Sequence, residues 1–296
     1  MFTIQIECPN DLTSYKLLDS GDGQKLEMFS GYTVVRPDPR AIWDQHSPEI
    51  WSNADAVYER LSQDAGQWIV KKPAPDPWMF QYKSLLFKLK PTDFKHVGIF
   101  PEQAVNWKWM TQYEDLHKKQ ETGNKQKTLL NLFGYTGAAT TVAASLGYQV
   151  THVDASKPSL DWAHENIDMN NLQSVGCRWI LDDVGKFVTR EIKRGNTYDA
   201  IIMDPPRFGR GAKGEVWKLL TDLPELLRMC SSILSPTASF LILNAYTADI
   251  SAITLHNLME SIFGSKGGSV TTSEVGLKEE KSDRILPNGM VGRWSR

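Results

Sequence analysis

NLFGYTGAATTVAASLG (Asn131–Gly147) joins an apolar segment to a run of small residues through a turn that holds Gly134 and Gly137. The segment Thr128–Leu132 ahead of the turn reads as a strand and Ala138–Leu146 behind it as a helix, with Gly147 as the natural stop. Two glycines let the backbone bend sharply and approach a ligand with no Cβ in the way. The helix opens on Ala138, Ala139, Thr140 and Thr141, small enough to pack close to the strand, and its first amides can face a bound group. Two phosphate readings fail at this point. A dinucleotide fingerprint needs GxGxxG, and Gly134-Tyr135-Thr136-Gly137 supplies only GxxG. A triphosphate loop needs Gly-Lys-Ser/Thr, and Ala138-Ala139 stands where the lysine and hydroxyl belong. Taken alone, the motif fits plain strand-to-helix packing equally well.

Downstream the rhythm of strand, loop and helix continues. Strands are expected at Gln149–Val153, Cys177–Leu181, Ala200–Met203 and Phe240–Leu243. Helices are expected at Pro158–Met169, Val184–Lys193 and Val216–Leu234. Such alternation implies a parallel sheet covered on both faces. THVDAS sets Asp154 at the carboxyl end of the next strand, 20 residues after Gly134, where an acid can accept from both ribose hydroxyls of an adenosine. Ser156 caps the following helix and Pro158 occupies its first turn. The strand after that ends in Asp182-Asp183, where a carboxylate can accept from an adenine amino group; capping the Val184 helix is the plain alternative. Open α/β sheets bind ligands outside the carboxyl ends of their strands, and here ligand-type features recur on three strands in succession.

The N-terminal part differs. Pro37, Pro39, Pro48, Pro73, Pro75, Pro77 and Pro91 cut the first 92 residues into short strands and turns such as YTVVRP and MFQYKSLLFKLKP. One helix is expected between Glu49 and Gln63, where Ile50, Ala54, Val57 and Leu61 recur at three to four residues. Two domains follow: a β-rich one over residues 1–92, suited to substrate recognition, and an α/β one over 93–296. The tail carries Pro287-Asn288-Gly289, read as the turn of a last antiparallel hairpin. Between Trp68 and Trp109, Lys71, Lys72, Lys83, Lys88, Lys90, Lys95 and Lys108 are interleaved with nine aromatic residues. Lysines that neutralise phosphates beside rings that stack bases suit RNA. Rings filling a small β core beneath solvated lysines fit as well.

Composition narrows the class. The chain is 41% hydrophobic and 23% charged, with a formal net charge of −2, so a nucleic-acid partner is neither demanded nor excluded. No apolar run approaches the ~20 residues of a membrane helix, and MFTIQIECPNDLTSYK lacks the pattern of an export signal. Cys8, Cys177 and Cys230 lie far apart without ligand spacing, and the six histidines form no HExxH or clustered site, so no metal is expected. Free thiols and the absence of an export signal give a cytoplasmic protein as the expectation. Nothing in the sequence speaks to oligomeric state.

YDAIIMDPPRFGRG ends the fourth strand of the series in Asp204-Pro205-Pro206, a rigid turn able to hold a side chain and carbonyls against a planar base. With this turn in place, the chain from about Phe94 onward resembles the S-adenosylmethionine-dependent methyltransferases related to bacterial large-subunit ribosomal-RNA methyltransferases. FKHVGIFPEQAVNW, NLFGYTGAAT, VDASKPSLDWAHENIDMNNL, LDDVGKFV and DPPRFGRG carry the likeness, in the family's order. GYTVVRPDPRAIW is similar to the small β domain of a bacterial subgroup. The resemblance implies a Rossmann-like seven-stranded sheet and S-adenosylmethionine (SAM) as cofactor. It implies that Phe133, Gly134, Tyr135 and Gly137 line the methionine and ribose, and that Asp154 holds the ribose. By the same likeness Asp183, with Asp182, meets the adenine, and Gln103 folds over the cofactor. Asp204, Pro205 and Pro206 then lie beside the methyl donor, with Arg207 and Phe208 facing the target. Asn166, Asn170 and Leu172 recur in related RNA methyltransferases, although helix capping explains Asn170 equally well.

Methylation of cytosine C5 requires a ring nucleophile, normally a cysteine thiolate. Relatives place it after the fourth or fifth strand, and here those places read DPPRFGRG and LNAYTAD. Cys230 falls in an apolar helix and reads as packing. Transfer to a ring nitrogen or amine needs only a lone pair aligned with the donor methyl, with Asp204 accepting from the acceptor. Arg207 replaces the aromatic of the NPPY and DPPY motifs of amino-group methylation, and Phe208 is the next ring able to stack a base. Guanine N7 chemistry fits this absence of special groups. The loop Gly209–Glu215, with Arg210 and Lys213, suits an RNA phosphate or simple solvation. The expectation is thus a SAM-dependent methyltransferase of a base in ribosomal RNA. The alternatives are a small-molecule or protein methyltransferase, and an RNA-binding protein of the same fold with little catalysis.

Overall fold

The computed structural model describes residues 3–62, 65–117, 126–210, 214, 216–246 and 249–296, with the backbone alone at Arg210. The chain begins with β1 (Gln5–Glu7), β2 (Tyr15–Gly21), β3 (Gln24–Phe29), β4 (Tyr32–Pro37), α1 (Pro48–Trp51), β5 (Ala56–Arg60), β6 (Gly66–Val70), β7 (Met79–Tyr82) and β8 (Leu85–Lys88). It continues with α2 (Ala104–His117), β9 (Thr128–Leu132), α3 (Ala138–Ser145), β10 (Gln149–Asp154), α4 (Lys157–Met169), β11 (Arg178–Leu181) and α5 (Val184–Arg194). The last elements are β12 (Ala200–Met203), β13 (Phe208–Arg210), β14 (Val216–Lys218), α6 (Leu219–Ser232), β15 (Phe240–Ala245), α7 (Ala252–Phe263), β16 (Ser269–Lys278) and β17 (Ile285–Ser295). The chain divides into two compact units: Met1–Glu7, Asn106–Val275 and Gly289–Arg296 form one, Cys8–Val105 and Gly276–Asn288 the other.

The larger unit is built on a sheet of order β1-β16-β17-β15-β12-β9-β10-β11. β15, β12, β9, β10 and β11 run parallel to one another, and β17 runs antiparallel to β15. The expected α/β architecture with a Rossmann-like sheet is present. The sheet has eight strands rather than seven because β1 pairs in parallel with β16 at its edge. β12 and β15 are buried along their whole length, which is why their sequences run apolar instead of alternating. Ser156 caps α4 by accepting from the Ser159 amide, with Pro158 in the first turn, and Gly147 takes φ 91° after α3. Helix α6 begins at Leu219 and not at Val216, because Val216–Lys218 pairs with Phe208–Arg210 as a hairpin.

The smaller unit holds a five-stranded sheet, β2-β3-β4-β5-β6, and the β7-β8 hairpin. The helix expected over Glu49–Gln63 stops at Trp51, and Ala56–Arg60 is a strand between β4 and β6. Ala56 and Tyr58 are buried two residues apart whereas Leu61 is 65% exposed, so the true period is that of a strand. Pro287-Asn288-Gly289 lies inside β17, and the connection from β16 falls at residues 279–284, where the Glu279 amide bonds the Arg284 carbonyl. Of the nine rings between Trp68 and Trp109, only Phe94 is exposed, while Trp78, Phe80, Tyr82, Phe87 and Trp107 are fully buried. Core filling, not base stacking, accounts for the aromatics. Lys71, Lys72, Lys83 and Lys90 remain exposed.

Candidate active site

Four neighbouring parallel strands end level with one another. Leu132 at the end of β9 is opposite Val153 of β10 on one side and Met203 of β12 on the other, and Asp154 is opposite Leu181 of β11. The residues that follow are the glycine turn, Asp154 with Ser156, Asp182-Asp183 and Asp204-Pro205-Pro206. The sheet therefore gathers four of the sequence-identified groups along one edge, spanning three strand intervals or about 14 Å.

The turn after β9 is unusual in its backbone. Phe133 has φ 57°, Tyr135 φ 49° and Gly137 φ 77°. Left-handed conformations cost an aromatic residue on the order of 1–3 kcal/mol, and here the surroundings enforce them. The Gly134 amide bonds the Val153 carbonyl at 3.0 Å and the Tyr135 amide donates to Asp154 Oδ2 at 2.8 Å. Asn166, buried in α4, donates to the Thr136 carbonyl at 2.8 Å. Both glycines are demanded by internal packing. A Cβ on Gly134 would lie 2.3 Å from His152 Cε1, and one on Gly137 would lie 2.7 Å from the Ala163 Cβ. His152 is buried beneath the turn, with Nδ1 2.8 Å from the Thr140 hydroxyl, which also accepts from Asn131. Burial, helped by the nearby His164, pushes the His152 pKa down to about 3, so the ring is neutral.

Asp154 accepts from three backbone amides: Tyr135 through Oδ2 and Ser156 through Oδ1, each at 2.8 Å, and Ala155. Burial pushes its pKa above the ordinary aspartate value despite these donors. A carboxylate offers about four lone-pair sites, so with three amides bound it keeps capacity for about one further donor. The two acids after β11 divide their work. Asp182 pairs with Arg190 and accepts the Asp183 amide at 2.9 Å. Asp183 caps α5 by accepting the Lys186 amide at 2.9 Å. Gln103 belongs to the smaller unit, half-buried at the end of the Pro101–Gln103 3-10 turn.

The Asp204 amide bonds the Leu132 carbonyl at 3.3 Å, and the Tyr246 hydroxyl donates to Asp204 Oδ2 at 3.3 Å. Pro205 is buried; Pro206 and Arg207 are exposed, and Phe208 is 52% exposed. Arg207 pairs with Asp249 at 2.9 Å. The side chain of Arg210, and Lys213, lie outside the described residues. Gly289 has φ 125°, and a Cβ there would lie 2.6 Å from the Ala245 carbonyl and 3.2 Å from the Tyr246 ring, so its absence lets β17 close against the end of β15. Among the described residues, no three His, Cys, Asp or Glu side chains are grouped to hold a metal ion. No helix among them is long and apolar enough to cross a membrane. Cys230 is fully buried, and desolvation pushes its thiol far above the ordinary cysteine range.

A family model for S-adenosylmethionine-dependent methyltransferases matches residues 55–260. The chain belongs to this family. A solved SAM-dependent methyltransferase from Agrobacterium tumefaciens is 40% identical, with a TM-score of 0.89 over 99% of this chain and 93% of that one. Ribosomal RNA large subunit methyltransferase K/L of Hahella chejuensis is 30% identical over 247 residues, 76% of this chain and 32% of its own length. Ribosomal RNA large subunit methyltransferase I of Pseudoalteromonas translucida is 32% identical over 143 residues, 48% and 35% of the two chains. The methyltransferase described here thus spans about a third of the length of either curated relative. Its cofactor is SAM.

Three residues beside the candidate site carry no sequence signal read above, His152, Tyr246 and Trp217, whereas Asn166 stands there as a recurring position. LNAYTAD carries the signal for Tyr246, a hydroxyl one residue past the end of β15. His152 sits mid-strand within an apolar run, where a polar residue calls for a buried partner.

Proposed function

We propose that this methyltransferase modifies a base of ribosomal RNA without a cysteine nucleophile. The observation that carries the reading is the alignment of the glycine turn, Asp154, Asp183 and Asp204 along the carboxyl edge of β12-β9-β10-β11. The residues present suit SAM. Asp154, half-buried and with acceptor capacity left on its carboxylate, would take a ribose hydroxyl as a further donor. Phe133, Gly134, Tyr135 and Gly137 would hold the methionine and ribose, and Asp183, whose neighbour Asp182 is occupied by Arg190, the adenine. When bound, SAM supplies an electrophilic methyl group on a sulfonium.

The chain's own part is alignment and proton handling. Asp204 accepts a hydrogen bond or proton from the acceptor, while Pro205 and Pro206 keep the turn rigid. Phe208, half exposed beside them, stacks the target base, and Arg207 meets RNA phosphate. The names of the K/L and I relatives support ribosomal RNA as substrate. The smaller unit, centred on the first 92 residues, would recognise RNA through Lys71, Lys72, Lys83 and Lys90 and the exposed Phe94 rather than through its buried rings. An RNA substrate also puts the enzyme in the cytoplasm. The buried, high-pKa Cys230 supports transfer without a covalent RNA adduct.

Mass spectrometry of ribosomal-RNA nucleosides from cells with and without the gene tests substrate and atom together. One methylated base lost in the deletion strain is expected. An unchanged nucleoside profile would reject the RNA reading and turn attention to a small-molecule or protein acceptor.

A further inference from the structure

One side chain touches both loops of the site. Trp217 lies in β14, opposite Gly209 of β13. Its indole N–H donates to the Pro206 carbonyl at 2.7 Å, and its ring meets Phe133 at 5.1 Å between centroids, tilted by 55°. A Cβ on Gly209 would lie 3.5 Å from Pro206 Cγ and 3.6 Å from the Trp217 Cβ, so the hairpin is already in ordinary contact with the proline turn.

The turn needs such a brace. Pro205 and Pro206 have no N–H and cannot hold the Asp204-Pro205-Pro206 segment by backbone donors of their own. The segment is anchored at its start by the Asp204 amide on Leu132, and beyond it by the Leu219 amide on the Arg207 carbonyl. The indole supplies the middle anchor. On its other side the same ring supports Phe133, the left-handed residue that opens the glycine turn.

We infer that Trp217 is a positioning residue: it sets the Asp204-Pro205-Pro206 turn in register with the glycine turn, so that acceptor and donor ends of the site are aligned for transfer. The inference rests on the site assignment proposed above.

Trp217→Phe keeps a ring against Phe133 and removes the indole donor. With labelled SAM and an unmodified large-subunit ribosomal-RNA transcript, kcat should fall about 10-fold while the KM for SAM stays within about 2-fold, because misalignment penalises the transition state more than binding. Hydrogen exchange of the full chain, read on the peptide covering residues 203–210, should quicken about 5-fold in this variant and remain at the wild-type rate over residues 149–154. Trp217→Ala, which also removes the ring, should in addition weaken SAM binding. Wild-type kcat and wild-type exchange in Trp217→Phe would overturn the inference. So would a parallel loss of kcat, SAM affinity and thermal midpoint, the pattern of a purely structural residue. If the wild-type enzyme transfers no methyl to RNA, the substrate proposal fails, and the exchange measurement still decides the role of Trp217.

Discussion

Replacing Gly134 by alanine separates two explanations of why glycine stands there. The new methyl would lie 2.3 Å from His152 Cε1, 2.6 Å from Nδ1 and 2.7 Å from Nε2. Carbon atoms pack at about 3.5 Å or more, so the closest contact is short by about 1.2 Å. The ring has little room to retreat, since it is fully buried, held by Thr140 and packed 5.1 Å from Trp179. Overpacking of this kind costs about 1–3 kcal/mol, which lowers the thermal midpoint of a unit this size by about 2–12 °C. Moving the turn also disturbs the Tyr135 amide on Asp154, so calorimetry should find weaker SAM binding. The decisive comparison is Gly134→Ala combined with His152→Ala. With the ring gone, the added methyl has space, and the pair should be more stable than the sum of the single losses predicts by about 1–2 kcal/mol. A glycine needed only for ligand approach predicts otherwise: SAM affinity falls, the thermal midpoint of the free protein is unchanged, and the double variant is additive. That pattern would refute the packing argument.

SAM binding should weaken as pH falls, with a midpoint above the ordinary aspartate value. Burial raises the Asp154 pKa and its ionised form is the stronger acceptor for the ribose, so protons compete at a higher pH than usual; in Asp154→Asn, titration calorimetry from pH 4 to 7 should give affinity about 10-fold or more lower and without this pH dependence. Glu191 behaves in the opposite sense. Burial alone would raise its pKa, but hydrogen bonds from Tyr198, Asn196, Arg194 and Arg178 outweigh it and hold the value at about 2. Its stabilisation is therefore complete above pH 4.5 and lost as pH falls toward 2. Glu191→Gln should cost about 2 kcal/mol at neutral pH, with half-exposed arginines screened by water, and denaturation series should find the gap closing in acid. Cys230→Ser should keep its turnover per folded molecule while losing some stability, because a hydroxyl replaces a thiol in the core. A covalent RNA adduct present in wild type and absent in this variant would contradict transfer without a cysteine.

Much of the larger unit was legible because its signals are local. Thr128–Leu132 and Ala200–Met203 are strands with the expected bounds, since short apolar runs between turn residues leave little choice. Ser156 and Asp183 cap their helices as their chemistry requires within a span of three residues. The acids at strand ends follow directly once those strands are parallel. By itself the sequence determined which segments form the five central parallel strands and which polar groups follow them, although β10 and β15 run one and two residues past their expected ends.

Tertiary structure decided everything that depends on a distant partner. Leu61 joins a helical pattern on paper, yet its exposure and the pairing of Ala56–Arg60 with β4 and β6 make that segment a strand. The rings between Trp68 and Trp109 read equally as a stacking surface or a core until burial chose the core. Trp217 meets the Pro206 carbonyl only because a hairpin turns its strand back on the proline turn. Gly134 needs to be glycine because β10 brings His152 beneath it, a neighbour 18 positions away that no local pattern reveals. Propensity and capping act within a few residues, whereas steric exclusion and burial act across paired strands. The glycine turn thus announced itself locally, and its physical necessity came from the strand beside it.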